Sequence, residues 1–267
     1  MPDPTALLVA LRDPHGNVSV RRADLDPHST VRLAAESLVR RETGLAVLQP
    51  WAVDLSGDRR WLAVDAPAPV VDHGDAAEDL AARARTMPRV VVGFRPMTRA
   101  DFPSVVSWQA QPHVARWWDE EAADVAGAEE HYGPALDGGD PTRLWVVEVN
   151  GRSVGMVQDY RIGDHPEYAL LTARPDAVGM DYLIGELGWV GGGVGTRVLW
   201  HFLRDVLRPH YPLVDTVFAA PDHRNVASLR VLDKLGFERG LWFDEPQPDG
   251  RVDTVVGCTL DVRRVLG

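Results

Sequence analysis

The run Val190-Gly191-Gly192-Gly193-Val194-Gly195-Thr196 constrains this chain more than any other segment. Its glycines free the backbone to take positive φ and to approach a ligand closely. The pattern predicts a strand over residues 179–186 before the run. After it comes an amphipathic helix over 193–207, stopped by Pro209. A helix that opens in glycines presents successive N–H groups to an anion, and a pyrophosphate suits that geometry. No Gly-Lys-Ser/Thr follows, so this is not a Walker loop, and the G-x-G-x-x-G spacing of dinucleotide folds is absent. Alone, such a turn could equally do no more than end a strand.

The surrounding periodicities give it a context. Upstream, residues 90–96 read as a strand. Thr98-Arg99-Ala100-Asp101 forms a capping box for a helix to about residue 111, and a further helix covers about 124–132. Residues 144–149 and 153–160 read as strands joined at Asn150-Gly151, a type I′ hairpin signal. Downstream come a buried strand over 214–219, a helix over 225–235 ended by Gly236, and a closing hairpin over 237–243 and 251–260. The expectation is an α+β fold, a mixed twisted sheet flanked by helices, over residues 89–267.

Before it, residues 1–88 read as a smaller α+β unit, with the boundary near Pro88. A hairpin (residues 7–11 and 18–20) leads to a helix capped by Ser29 or Thr30 and closed by Gly44. A second hairpin (46–55 and 60–64) and a helix over 75–86 follow. The segment from Ala34-Ala35-Glu36 to Arg41-Glu42-Thr43-Gly44-Leu45 faintly resembles a Nudix domain. Leu38 and Arg41 stand where that family's metal-binding helix needs glutamates, and only Glu42 is in register. A degenerate, Nudix-like accessory unit that shapes structure or acceptor is expected, not a metal-dependent hydrolase.

Composition narrows the partners. The formal net charge is −11, of which −9 falls on residues 91–267, and a nucleic-acid surface would need clustered basic residues instead. That excess suits solubility and also attraction of a cationic substrate. Of the 28 basic residues only Lys234 is a lysine, a bias that fits a GC-rich genome. One cysteine, Cys258, leaves neither an intrachain disulfide nor a multi-cysteine metal site. No apolar run is long enough for a membrane span, and Met1-Pro2-Asp3-Pro4 lacks the features of a signal peptide. A cytoplasmic protein is expected, with no nucleic acid, membrane or metal among its partners and a homodimer left open.

The order strand, glycine loop, helix, strand, Ala220-Pro221-Asp222-His223-Arg224-Asn225, helix resembles the GNAT family of N-acetyltransferases over about residues 92–260. The resemblance implies acetyl-CoA as co-substrate. It assigns the pyrophosphate to Val190, Gly191, Gly192, Gly193, Val194, Gly195 and Thr196. The pantetheine falls to a splayed strand at Leu183-Ile184-Gly185 and to the amide of Asn225. Val190 replaces the family's usual Gln or Arg, a tolerable change because that position acts through its backbone. Leu232 replaces a tyrosine that protonates the departing thiolate, so the acid must be water, another residue or unnecessary.

Within the family the chain is similar to aminoglycoside 6′-N-acetyltransferases and siderophore-pathway lysine acyltransferases. His113-Val114-Ala115-Arg116-Trp117-Trp118 matches their H-[IV]-x-x-W-W, and Gly179-Met180-Asp181 matches the aminoglycoside Gly-Ile-Asp. The implied function is acetylation of a primary amine on a cationic acceptor, foremost an aminoglycoside, as in antibiotic resistance. A lysine-type acyltransferase and a CoA-binding scaffold without turnover are the alternatives. Asp222-His223-Arg224-Asn225 leans to the siderophore branch, and Ala220 replaces an expected acid.

An alkylamine with a pKa near about 10 arrives protonated and needs a base. Asp181 is that candidate; its bland reading is a solvated or arginine-paired carboxylate at a strand end. Trp117 and Trp118 are candidate acceptor walls, although adjacent helical residues point different ways. Asp119 and Glu120, with Glu121 and Asp124, are candidate ammonium partners or a solvated helix start. Asp159, Asp164 and Glu167 are weaker candidates of the same kind. His223 is a candidate base, although loop histidines are more often structural.

Overall fold

The computed structural model describes residues 6–25, 30–44, 50–56, 60–66, 69, 77–87, 89–118, 122–246 and 250–267, with the Trp51 side chain outside the description. Two sheets organise it. The first has the order β2-β1-β4-β3, built from β1 (Ala6–Arg12), β2 (Val18–Asp24), β3 (Pro50–Asp54) and β4 (Arg60–Asp65). β1 pairs antiparallel with β2 and parallel with β4. The parallel pair needs a crossover, which α1 (Val31–Thr43) supplies. Thr30 accepts from Leu33 N to start α1, and Gly44 ends it at φ 74°. Alternation then divides β1 between two cores. Leu7, Val9 and Leu11 join α1, while Ala10 meets the apolar face of α2 (Glu78–Thr86). The former Nudix-register residues are structural here: Leu38 is buried, and Glu42 pairs with Arg21 at 3.2 Å.

The second sheet has the order β10-β11-β9-β8-β7-β6-β5. Its strands are β5 (Val92–Pro96), β6 (Arg143–Val149), β7 (Arg152–Arg161), β8 (Val178–Ile184), β9 (Thr216–Ala219), β10 (Glu238–Pro246) and β11 (Val252–Asp261). The turn between β6 and β7 has positive φ at Asn150 and Gly151, as a type I′ turn requires. On one face, Leu144, Val146, Met156 and Leu183 pack under α3 (Phe102–Gln109), α4 (Pro112–Ala115) and α5 (Val125–Leu136). On the other, Val147, Val157, Met180 and Val217 meet α7 (Val194–His201) and α9 (Val226–Leu235). The remaining helices are α6 (Pro166–Thr172), α8 (Arg208–His210) and α10 (Val262–Val265).

Two helices depart from expectation. Pro209 does not stop the glycine-loop helix. Residues Phe202–Leu207 widen into a π-helix, in which the Arg208 N–H reaches back to Leu203 O, and α8 continues to His210. Pro209 has no N–H to place, and the wider register is a known way for a helix to pass a residue that cannot join the regular i to i−4 ladder. α6 was not expected, yet Pro166 at its first position and Glu167 in its first turn are ordinary start signals.

The first sheet lies against α7 and α9. Leu55 N donates to Lys234 O at 2.6 Å, and one continuous apolar cluster holds Leu7, Leu38 and Leu62 together with Val198, Leu199 and Leu235. No helix among the described residues is long and apolar enough to cross a membrane.

Candidate active site

β8 and β9 run parallel but pair only at Val178–Val217 and Gly179–Phe218. Beyond that point the strands diverge, and β8 holds only to β7, through Ile184–Gly155. The V between them opens onto a cavity of about 460 Å³, lined by Met180, Asp181 and Tyr182 of β8, by Ala219 at the end of β9 and residues 220–222 after it, and by Asn225 and Ser228 at the start of α9.

Asp181 stands on the cavity side of β8, where pairing sets it opposite Gln158. Gln158 Nε2 donates to its Oδ2 at 3.1 Å. Tyr160 lies two residues along β7, its ring packed over Gly179 so closely that a side chain there would overlap it. Burial, the Asp181 charge and the hydroxyl of Tyr168 hold the Tyr160 phenol protonated, well above its ordinary value. Burial and the same charge raise Tyr168. Asp181 thus faces hydrogen-bond donors, among them Gln158 and Tyr160. Asp140, Asp222, Glu245 and Asp253 also line the cavity. Arg224 pairs with Asp222 at 2.6 Å and with Asp253 at 3.8 Å, and Asp140 accepts from Thr142 N at 2.7 Å.

The far end of β8 is held by the tryptophan-bearing segment and its helix. His113 Nε2 donates to Ile184 O at 2.9 Å, Trp108 Nε1 donates to Glu186 Oε1 at 3.2 Å, and Gly185 N donates to Val154 O at 2.8 Å. A carbonyl only accepts, so the His113 proton is on Nε2. A Cβ at Gly185 would overlap the Trp108 ring, which makes glycine obligatory there.

The glycine run turns through three consecutive positive φ values, 86°, 56° and 78° at Gly191, Gly192 and Gly193. Gly193 is the N-cap of α7, and nothing stands within 4 Å of a Cβ built at Gly191 or Gly192. An L side chain would be strained at all three positions, and the outer face of the loop has room for a phosphate. Beneath it Arg197 is fully buried, its Nη2 3.5 Å from Gly192 O. Burial and the nearby Arg12 pull its guanidinium down to about 10, still charged at neutral pH. Met87 of the first unit approaches Gly193, and Arg12 donates to Met87 O at 3.0 Å. The residues present therefore fit a pyrophosphate at the loop and an extended chain in the V.

Of the residues singled out from sequence, Asp181, Trp117, Trp118 and Asn225 line one cavity, with Leu183, Ile184 and Gly185 at its strand and Val190 to Thr196 opening α7. Asn225 Oδ1 caps α9 by accepting from Ser228 N at 3.1 Å. Asp159 is elsewhere. It is fully buried on the opposite sheet face, accepting from Arg143 at 2.6 Å, Trp145 at 2.8 Å and Tyr211 at 2.9 Å, so no acceptor reaches it. Asp164 and Glu167 are exposed and outside the cavity. Asp119 and Glu120, like Glu121 and Pro88, lie outside the described residues. His223 Nδ1 donates to Thr254 O at 2.9 Å, a bond that ties the loop to β11. Leu232 is fully buried, and one turn before it on α9 the Ser228 hydroxyl meets the Tyr182 phenol at 2.6 Å. Among the described residues no group of three or more His, Cys, Asp or Glu is placed to hold a metal.

Sequence reasoning missed Gln158, Tyr160, Tyr168, Asp140, Glu245 and Asp253. Gln158 and Tyr160 were within reach, since the i, i+2 period of β7 puts them on one face. The others depend on how the loop before β6, α6 and the final hairpin close over the sheet.

The acetyltransferase (GNAT) domain family matches residues 97–244, more than half of the chain. No curated protein sequence matches. Among solved structures, aminoglycoside acetyltransferase AAC(6′)-Ib in complex with coenzyme A is 24% identical, with a TM-score of 0.55 over 65% of this chain and 96% of its own. The same enzyme with ribostamycin and coenzyme A is 25% identical, with a TM-score of 0.53 over 65% of this chain and 94% of its own. An uncharacterized protein from Bacillus halodurans is 23% identical, with a TM-score of 0.53 over 62% of this chain and 83% of its own. The splayed strands, the glycine loop and the family match converge: the chain belongs to the GNAT family of acetyltransferases, whose acyl donor is acetyl-CoA.

Proposed function

We propose that this chain acetylates a primary amine of a small cationic acceptor, with aminoglycoside-type amino sugars as the lead class. One observation carries the reading: the cavity at the V is walled by Asp140, Asp181, Asp222, Glu245 and Asp253 with Trp117 and Trp118 at its rim. Such a wall selects polyamines by charge and offers aromatic faces to sugar rings. The resemblance of Gly179-Met180-Asp181 to the aminoglycoside enzymes, and the fold shared with them, point the same way.

In this reading the loop of Val190 to Thr196 takes the pyrophosphate, and Leu183, Ile184 and Asn225 line the path of the pantetheine. Asp181 removes the ammonium proton, held for that task by Gln158 and Tyr160. The amine nitrogen bonds to the acetyl carbon, the C–S bond breaks, and the thiolate takes a proton. Leu232 cannot give it; Ser228, refilled by Tyr182, is the best-placed hydroxyl. Ala220 in the cavity wall and the adjoining Asp222-His223-Arg224-Asn225 favour a second reading, a lysine-type amine acyltransferase. Thiol release from acetyl-CoA against aminoglycosides, lysine derivatives and linear polyamines separates the two. Turnover confined to aminoglycosides supports the first, and turnover confined to lysine derivatives overturns it. Acetyl-CoA binding without turnover on any amine marks a scaffold.

A further inference from the structure

A second cavity, of about 560 Å³, lies where the first sheet meets the acetyltransferase module. Val31, Leu55, Ser56 and Arg60 line it from one side, and Arg230, Asp233, Lys234, Gly236, Phe237, Glu238, Arg264 and Val265 from the other. Its floor is apolar: Val31, Leu55, Phe237 and Val265 are all buried. Its charge runs against that of the whole protein. Asp233 is already held by Arg239 at 2.6 Å, and Glu238 by Arg264 at 3.0 Å. Arg60, Arg230 and Lys234 have no carboxylate within ion-pairing distance among the described residues, and Arg60 and Lys234 are half-buried. The single lysine of the chain therefore stands in a concave, basic, partly desolvated site on a protein of net charge −11. Three cations that line one cavity, unpaired among the described residues, repel one another, and an anion bound between them relieves all three.

We infer that this cavity binds a small multiply charged oxyanion, a phosphate ester or polycarboxylate whose organic body rests on Phe237 and Leu55. Its size suits such a ligand, since small-molecule sites commonly run to about 300–1,000 Å³. The site is distinct from the glycine loop. It lies at the C-terminal end of α9, whose first turn carries Asn225 and Ser228 at the other cavity. It also gives the first unit a task, because Arg60 completes the cluster from β4.

The test is calorimetric titration of inorganic pyrophosphate into the full chain saturated with acetyl-CoA, so that the glycine loop is occupied. One pyrophosphate per chain is expected, weakening as salt rises. Arg230→Gln with Lys234→Gln, two changes outside the core, should weaken it by at least about 10–100-fold, the scale of one charged hydrogen bond. Acetyl-CoA affinity and an unchanged circular dichroism spectrum report that the variant is folded. A folded variant that binds pyrophosphate as tightly as the parent would overturn the inference. So would a parent that binds none. Neither outcome touches the acceptor assignment, which thiol release reads separately.

Discussion

Asp181 and Asp159 sit one residue from facing positions on adjacent strands, since Asp181 pairs with Gln158, and the sheet gives them opposite faces and opposite fates. Asp159 disappears into a network with Arg143, Trp145 and Tyr211, while Asp181 opens on the cavity. Sequence could not separate them, because which face is buried depends on what packs above each one. If Asp181 is the base, Asp181→Asn keeps shape and loses only proton acceptance. Turnover should fall by about 10²–10⁴-fold while acetyl-CoA affinity holds. The deficit should shrink as pH approaches the amine's own pKa, where more acceptor arrives neutral. A variant with near-normal turnover at pH 7 refutes the role. Gly185 offers a steric counterpart. Gly185→Ala drives a methyl into Trp108, displacing the end of β8, and should raise the KM for acetyl-CoA in steady-state kinetics.

Among the elements, those announced by their termini were legible. The capping box at Thr98 and Asp101, the Asn150-Gly151 turn, and the Thr30 and Asn225 caps all stand where local chemistry puts them. The π-turn before Pro209 was not legible, since only the surrounding packing tells whether a helix ends at a proline or widens around it. Asp101 permits a pH test. Arg95 holds its carboxylate below the ordinary range, at 2.6 and 2.8 Å, with Thr98 N donating at 2.9 Å. A depressed carboxylate contributes stability above its unfolded pKa and loses it as pH falls through the folded one. Asp101→Asn should therefore cost about 1–3 kcal/mol at pH 7 in urea unfolding, with the gap to the parent closing below about pH 4. A gap independent of pH would show that packing, not charge, is at stake. At the loop, Gly193→Asp sets a carboxylate on the anion face, and calorimetry should find acetyl-CoA binding abolished in a folded protein. Unchanged affinity would remove the loop from the site.

On the scale of the whole molecule, the order of elements in the sequence put a boundary between two units near Pro88, and the described strands form two sheets. What composition could not reveal is the apolar cluster running through both, because contacts between Leu62 and helices far along the chain leave no local signature. Alongside it, Leu55 N bonds Lys234 O at 2.6 Å and Arg32 Nε bonds Leu266 O at 2.5 Å. These contacts make unfolding of the first unit alone expensive, since it would bare the faces of α7 and α10 to water. Leu62 is fully buried in β4, and Leu62→Ala should cost about 2–5 kcal/mol through lost transfer energy and the cavity left behind. The loss should appear everywhere at once. Tryptophan fluorescence, circular dichroism and release of bound acetyl-CoA should share one lowered melting midpoint, although Leu62 touches no part of the candidate site. Proteolysis between residues 67 and 90 should leave two fragments that co-elute under native conditions. Two separated transitions, with acetyl-CoA retained after the first, would show instead that the acetyltransferase module stands without its neighbour.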